Sequence, residues 1–256
     1  MLIDEYAWNS PLRSRHPSEK TQIMAAGMLV GFLSGSMVLN LAVFGFYGLL
    51  TVWWGRVRLR DYGCLLLLPG FFLAAGVLLL PISYQPGVEC WRTWNMGGAS
   101  WGITYAGLEQ AGLLLTRALA MLAAMYFLCL TTPVVEIVSF LRAKNLPEVL
   151  CDLMYLVYRG IFLIAAASEE VRRAQELRLG YSGWRTSLNS MSLLISSVLR
   201  QSFRRSGQMT VAMMARGADG QLPAVPLPYP FSAARAAGFW AAAVAAIALP
   251  HIENLF

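Results

Sequence analysis

The chain has 256 residues, of which 57% are hydrophobic and only 13% charged. A soluble domain carries about a quarter charged residues, so this composition excludes an ordinary water-soluble globular protein. The net charge of +6 rests mostly on Arg set beside long uncharged apolar runs, which excludes nucleic acid as the partner and points to the inner leaflet or a protein.

Residues 1–20 are polar, with Asp4, Glu5, Arg13, Arg15, Glu19, Lys20, Pro11 and Pro17. No apolar run follows the start, so a signal peptide is not expected, and the segment reads as a cytoplasmic arm. Thr21–Val52 and Tyr62–Val88 contain no Asp, Glu, Lys or Arg. Each exceeds the roughly 20 helical residues that cross a hydrocarbon core. Residues 21–55 read as two spans, about 21–38 and 41–55, with a tight turn near Asn40; one long tilted helix is the alternative. Gly27, Gly31 and Gly35 repeat at the spacing that lets helices approach closely. Arg56, Arg58 and Arg60 return the chain to the cytoplasm. A third span covers 62–82, with Pro69 expected to kink it. Residues 83–106, rich in Trp and Gly, read as a neutral outer-face loop. A fourth span runs from about 108 to 131, completing a transmembrane bundle over 21–131.

Residues 132–228 break the pattern. They hold 11 of the 20 basic residues against 7 acidic ones, so they form a net positive, cytoplasmic domain. Thr131-Thr132-Pro133 signals a helix start, and that helix ends before Asn145-Leu146-Pro147. The next begins near Pro147, apolar over Val149–Ala167 and polar over Ser168–Leu179, where Glu169 and Arg173 are spaced to pair. Asp152 and Arg159, seven apart, read as an internal pair. A third helix, about Leu188–Ala215, carries a stripe of Leu188, Met191, Ile195, Val198, Ser202, Ser206, Met209 and Met213. The prolines at 223, 226, 228 and 230 end the domain, and an Ala-rich final span covers about 231–250 within a closing segment 229–256. The fold class is thus an all-α integral membrane protein with about five transmembrane helices and a domain of two or three amphipathic helices.

Both long helices of that domain end in Arg followed closely by Gly: Arg178 with Gly180, and Ala215-Arg216-Gly217. Arg near a helix C-terminus is favoured by the dipole and Gly by the left-handed cap. A planar guanidinium at a helix tip is also equipped to fork onto a carboxylate or carbonyls of another subunit. Met213-Met214-Ala215-Arg216-Gly217 and the variant Arg178-Leu179-Gly180-Tyr181 resemble the paired Ala-Arg-Gly motifs of the transmembrane T component of energy-coupling factor (ECF) transporters, cobalt/nickel type. Ile3-Asp4-Glu5-Tyr6-Ala7-Trp8, Pro17-Ser18-Glu19-Lys20 and Arg216-Gly217-Ala218-Asp219-Gly220 resemble the same branch. The resemblance implies a coupling (permease) subunit of an ABC importer in a prokaryotic inner membrane. Arg178, Gly180, Ala215, Arg216 and Gly217 would couple to two ATPase subunits, which hold the ATP. A separate membrane subunit would capture cobalt or nickel. A T component serving vitamin carriers is the alternative within the family.

The chain has no G-x-x-x-x-G-K-[ST] loop. Its two histidines, His16 and His251, stand at opposite ends, and no His/Cys group has metal-ligand spacing. No cofactor or metal site is therefore expected in this chain, and the four cysteines, lacking C-x-x-C, read as buried small hydrophobes. Arg117 lies inside an apolar span, with Glu109 eight residues earlier as a possible neutralising partner. An integral membrane enzyme would need a carboxylate cluster, and Glu169, Glu170 and Glu176 are interleaved with Arg, which suggests self-pairing. A stand-alone carrier would want more polar residues in its spans than Asn40, Glu109 and Arg117.

Overall fold

Ser34, Gly35 and Ser36 divide the first apolar region: the Ser34 hydroxyl accepts from the Ser36 N–H at 3.2 Å, turning the chain. Two helices result, α2 (Pro17–Leu33) and α3 (Met37–Leu49), in place of one long helix, with the turn several residues earlier than expected. The computed structural model describes residues 2–78, 82–84, 90–96, 99–217 and 238–241. Asn40, expected at the turn, is fully buried inside α3. A π-helical turn, Leu50–Trp54, extends α3, and α4 (Leu59–Val77) runs through Pro69.

The N-terminal arm is not a loose polar segment. It folds as α1 (Leu2–Asn9) and a 3-10 turn (Pro11–Ser14), both packed on α5 (Tyr105–Thr131). His16 caps α2, its Nδ1 accepting from the Ser18 N–H at 3.1 Å, which gives this residue a local structural role. Lys20 is 1% exposed and donates to the Thr131 carbonyl at 3.2 Å, closing α2 onto the end of α5. Helix α5 is the axis of the unit, with α1, α2, α3 and α4 all against it. Fully buried Ala120, Ala123 and Ala124 permit that approach, and Leu12, Ile23, Tyr47, Leu50 and Phe127 fill the core around them. Gly27 faces the Tyr47 ring, whose hydroxyl donates to the Ile23 carbonyl; a Cβ there would overlap the ring. Gly31 meets α5 near Ala120, whereas Gly35 lies in the turn with nothing beside it.

The segment expected as an irregular loop contains a small antiparallel sheet, β1 (Ile82–Tyr84), β2 (Cys90–Met96) and β3 (Ala99–Thr104), in the order β1-β3-β2. Trp101 of β3 is in register with Tyr84 on one side and Trp94 on the other. The aromatic-rich run therefore uses its β-propensity, an alternative open to it beside the interface-belt role. The sheet adds to an otherwise helical molecule.

The described residues of Met1–Pro133 and Pro228–Phe256 form one compact unit, and those of Val134–Leu227 a second. The second consists of α6 (Val134–Ala143), α7 (Glu148–Leu177) and α8 (Trp184–Ala215). Asn145, at φ +63°, makes the break before α7. Among the described residues, four helices are long and apolar enough to cross a membrane: α3 with its π turn, α4, α5 and α7. Helix α2 has 17 residues, at the short end for spanning. Of the final span, the described residues 238–241 are helical, and Phe239 packs on the core of the first unit; the rest lies outside the described residues. Cys151 is buried and Cys129 partly so, but Cys64 is exposed on α4, against expectation for a core residue; of α4 only Tyr62 is buried among the described residues.

Candidate functional site: two arginine-tipped helices

The end of α7 is a Schellman cap. The Gly180 N–H donates to the Gln175 carbonyl and the Leu179 N–H to that of Glu176, both at 2.9 Å. Arg178 is the C-cap residue, and Leu179, at φ +59°, takes the left-handed position. This corrects the expectation that Gly180 supplies the helix stop. A left-handed leucine costs about 1–2 kcal/mol, and its side chain is 74% exposed, so no packing inside this chain explains the choice.

Gly180 has a different task, close approach. A Cβ there would stand 2.6 Å from Ser190 Oγ and 3.0 Å from the Gln175 carbonyl. The buried Ser190 donates to the Gly180 carbonyl at 2.8 Å, the Gln175 amide donates to the Ser190 carbonyl at 2.9 Å, and the Tyr181 hydroxyl donates to Gln175 Oε1 at 2.8 Å. The tip of α7 is thereby fixed to the second turn of α8. Thr186 braces the start of α8, accepting from the Gly183 N–H and donating to its carbonyl.

The end of α8 repeats the geometry with the residue that suits it. Arg216 is the C-cap, and Gly217, at φ +73°, holds the left-handed position and donates to the Met214 carbonyl at 3.0 Å. Ala215 is the last helical residue. In both tips, then, the left-handed residue directly follows the arginine. The one-place shift of the glycine in Arg178-Leu179-Gly180 leaves the arginine where it stands in the other tip.

Both tip arginines are exposed, and neither is in an ion pair among the described residues. Their neighbours are: Arg172 with Glu176 and Arg173 with Glu169, each at 2.9 Å. These exposed pairs contribute only a few tenths of a kcal/mol, and they absorb two of the three carboxylates that an enzymatic reading would recruit. Chemically, the tips offer planar, permanently charged donors on stiff helices, suited to carboxylates and carbonyl groups of a protein partner.

The other expected charge pairs change. Arg117 does not meet Glu109, which is exposed; it donates from Nη2 to the Ser34 carbonyl at 2.9 Å, tying α5 to the turn after α2. Eight helical residues separate the two by about 12 Å of rise and about 80° of rotation, too far for the pair to close. Asp152 pairs with Arg142 of α6 at 3.2 Å, not with Arg159. Sequence reasoning also missed the Lys20–Thr131 tie and the Ser190 lock, because neither has a local signature. Among the described residues no group of three His, Cys, Asp or Glu could hold a metal ion.

Comparison with known proteins gives the family. The family described as "CbiQ: Cobalt transport protein" matches residues 9–225. The chain is 30% identical to a putative fused cobalt transport protein CbiMQ of Methanocorpusculum labreanum, over 86% of this chain but only 37% of that longer relative. It is 29% identical to an uncharacterized protein of Methanocaldococcus jannaschii, over 86% of this chain and 82% of the relative. It is 28% identical to the cobalt transport protein CbiQ of Rhodobacter capsulatus, over 86% and 85% of the two chains. With four helices among the described residues fit to cross a membrane and a family match over most of its length, the chain belongs to the CbiQ family of cobalt transport proteins as a multi-pass membrane component.

Proposed function

We propose that this chain is the coupling subunit of an ECF-type importer, passing the closure of two ATPase subunits to a separate membrane subunit that captures cobalt. The observation that carries the reading is the shared geometry of the tips: two long helices, each ending in an exposed C-cap arginine whose next residue turns left-handed. Arg178 and Arg216 would seat in grooves of the ATPases, with Gly180, Ala215 and Gly217 shaping the two ends. Chemistry at ATP belongs to those subunits, and this chain takes no cofactor. The coupling domain and N-terminus would face the cytoplasm of a prokaryotic cell. Cobalt is favoured over nickel because the named relatives are cobalt transport proteins.

Rigidity is what such a role requires. A tip that bent on docking would absorb the stroke, and the hydrogen bonds joining Gln175, Gly180, Tyr181 and Ser190 oppose bending. In vesicles holding this chain, its ATPases and the capture subunit, Arg216→Ala should lower ATP-driven cobalt uptake about tenfold or more, the scale of one lost charged hydrogen bond. Uptake equal to wild type would refute the anchoring role.

A further inference from the structure

Helices α7 and α8 line an open groove of about 570 Å³, with residues between Leu156 and Ala167 on one side and between Gln201 and Met213 on the other. Its apolar walls include Leu163 and Ile164 of α7 and Met209 and Met213 of α8. Among the described residues, those with charge that line it are Arg159 and Arg205, and none is Asp or Glu. The acidic residues of α7 lie elsewhere: Glu148 opens the helix, Asp152 is held by Arg142, Glu169 and Glu176 pair with Arg173 and Arg172, and Glu170 lines a separate, neighbouring groove. Arg159 stands in the apolar stretch Val149–Ala167, where Asp152 is the other charged residue. That helix is long and apolar enough to enter a membrane. A guanidinium in such a setting calls for an anion, and two of them suit the oxygens of a phosphodiester.

We propose that this groove binds an anionic membrane lipid, its phosphodiester between Arg159 and Arg205 and its acyl chains along the apolar wall of α7. The apolar walls argue for a lipid over a free phosphate, and the absence of a lining carboxylate argues for net negative headgroups over zwitterionic ones. The binding stands apart from the arginine tips and does not depend on the coupling role.

The test uses the full chain purified in detergent, with phosphatidylglycerol, phosphatidylcholine or inorganic phosphate added. Lipid adducts are read by native mass spectrometry and stabilisation by melting temperature. Phosphatidylglycerol should bind more tightly than phosphatidylcholine. Arg159→Gln and Arg205→Gln should each weaken it about fivefold, and the double variant roughly thirtyfold, as expected for about one near-surface arginine contribution apiece. The control Arg172→Gln/Arg173→Gln removes equal charge outside the groove and should bind like wild type; the single variants serve if the double variant loses helical circular dichroism. Equal binding of both lipids, equal loss in the control, or equal stabilisation by inorganic phosphate would each overturn the proposal. So would a double variant that keeps its phosphatidylglycerol but loses a co-purifying membrane subunit, since a protein would then be the occupant.

Discussion

Leu179 and Gly217 occupy the same backbone position at the two tips, at φ +59° and +73°. Only glycine does so without strain. Leu179→Gly should therefore stabilise the chain by about 1 kcal/mol, and Gly217→Ala should destabilise it by a similar amount; thermal unfolding in detergent gives both signs. If Leu179→Gly gains stability and weakens ATPase association, the leucine is kept for the partner. A second residue-scale prediction concerns Tyr6, whose hydroxyl donates to Asp61 and whose phenol is thereby pushed above its ordinary value of 10.0. A raised value means the contribution is fully present below about pH 10 and is lost as pH rises through the higher folded value. Wild type should exceed Tyr6→Phe in melting temperature at neutral pH, and the gap should close only in strongly alkaline buffer.

At the scale of elements, segment boundaries marked by Gly, Pro, Asn and Thr were legible. Thr131-Thr132-Pro133 does precede α6, and Asn145-Leu146-Pro147 does separate α6 from α7. Which face a helix buries was less legible. In α8 the expected stripe is half right: Val198, Ser202, Met209 and Met213 are partly covered, but Leu188, Met191 and Ile195 are more than half exposed. Ser190, Leu194 and Ser197 turn inward in their place. A hydrophobic pattern ranks faces by apolarity, whereas α7 approaches where side chains are small and Ser190 finds a hydrogen bond. The tip arginines were legible because cap chemistry is local; their freedom from ion pairs was not, because it depends on where Glu169 and Glu176 turn. Two glycines test the packing. Gly27→Ala drives a methyl into the Tyr47 ring and Gly180→Ala one against Ser190, and each should cost about 1–3 kcal/mol, read as a lower melting temperature.

For the whole molecule, the telling residue is Lys20. The sequence places it in a polar arm, where a lysine is normally solvated, yet it is buried against Thr131 with Pro17, Thr132 and Pro133 also enclosed. Thr131 ends α5, and Val134 opens the second compact unit. The arm thus secures the point from which the chain leaves its first compact unit. Lys20→Met should cost about 1–3 kcal/mol, the penalty for leaving a buried carbonyl without its donor. It should also lower cobalt uptake more than ATPase binding, since both tips stay intact. The central claim, that two arginine tips couple this chain to ATPases, is tested most directly by co-purification in detergent. Tagged wild type, Arg178→Ala/Arg216→Ala and the control Arg172→Ala/Arg173→Ala are each expressed with the candidate ATPases. Wild type and control should retain the ATPases and the tip variant should lose them; retention by the tip variant, or no retention by wild type, would contradict the account.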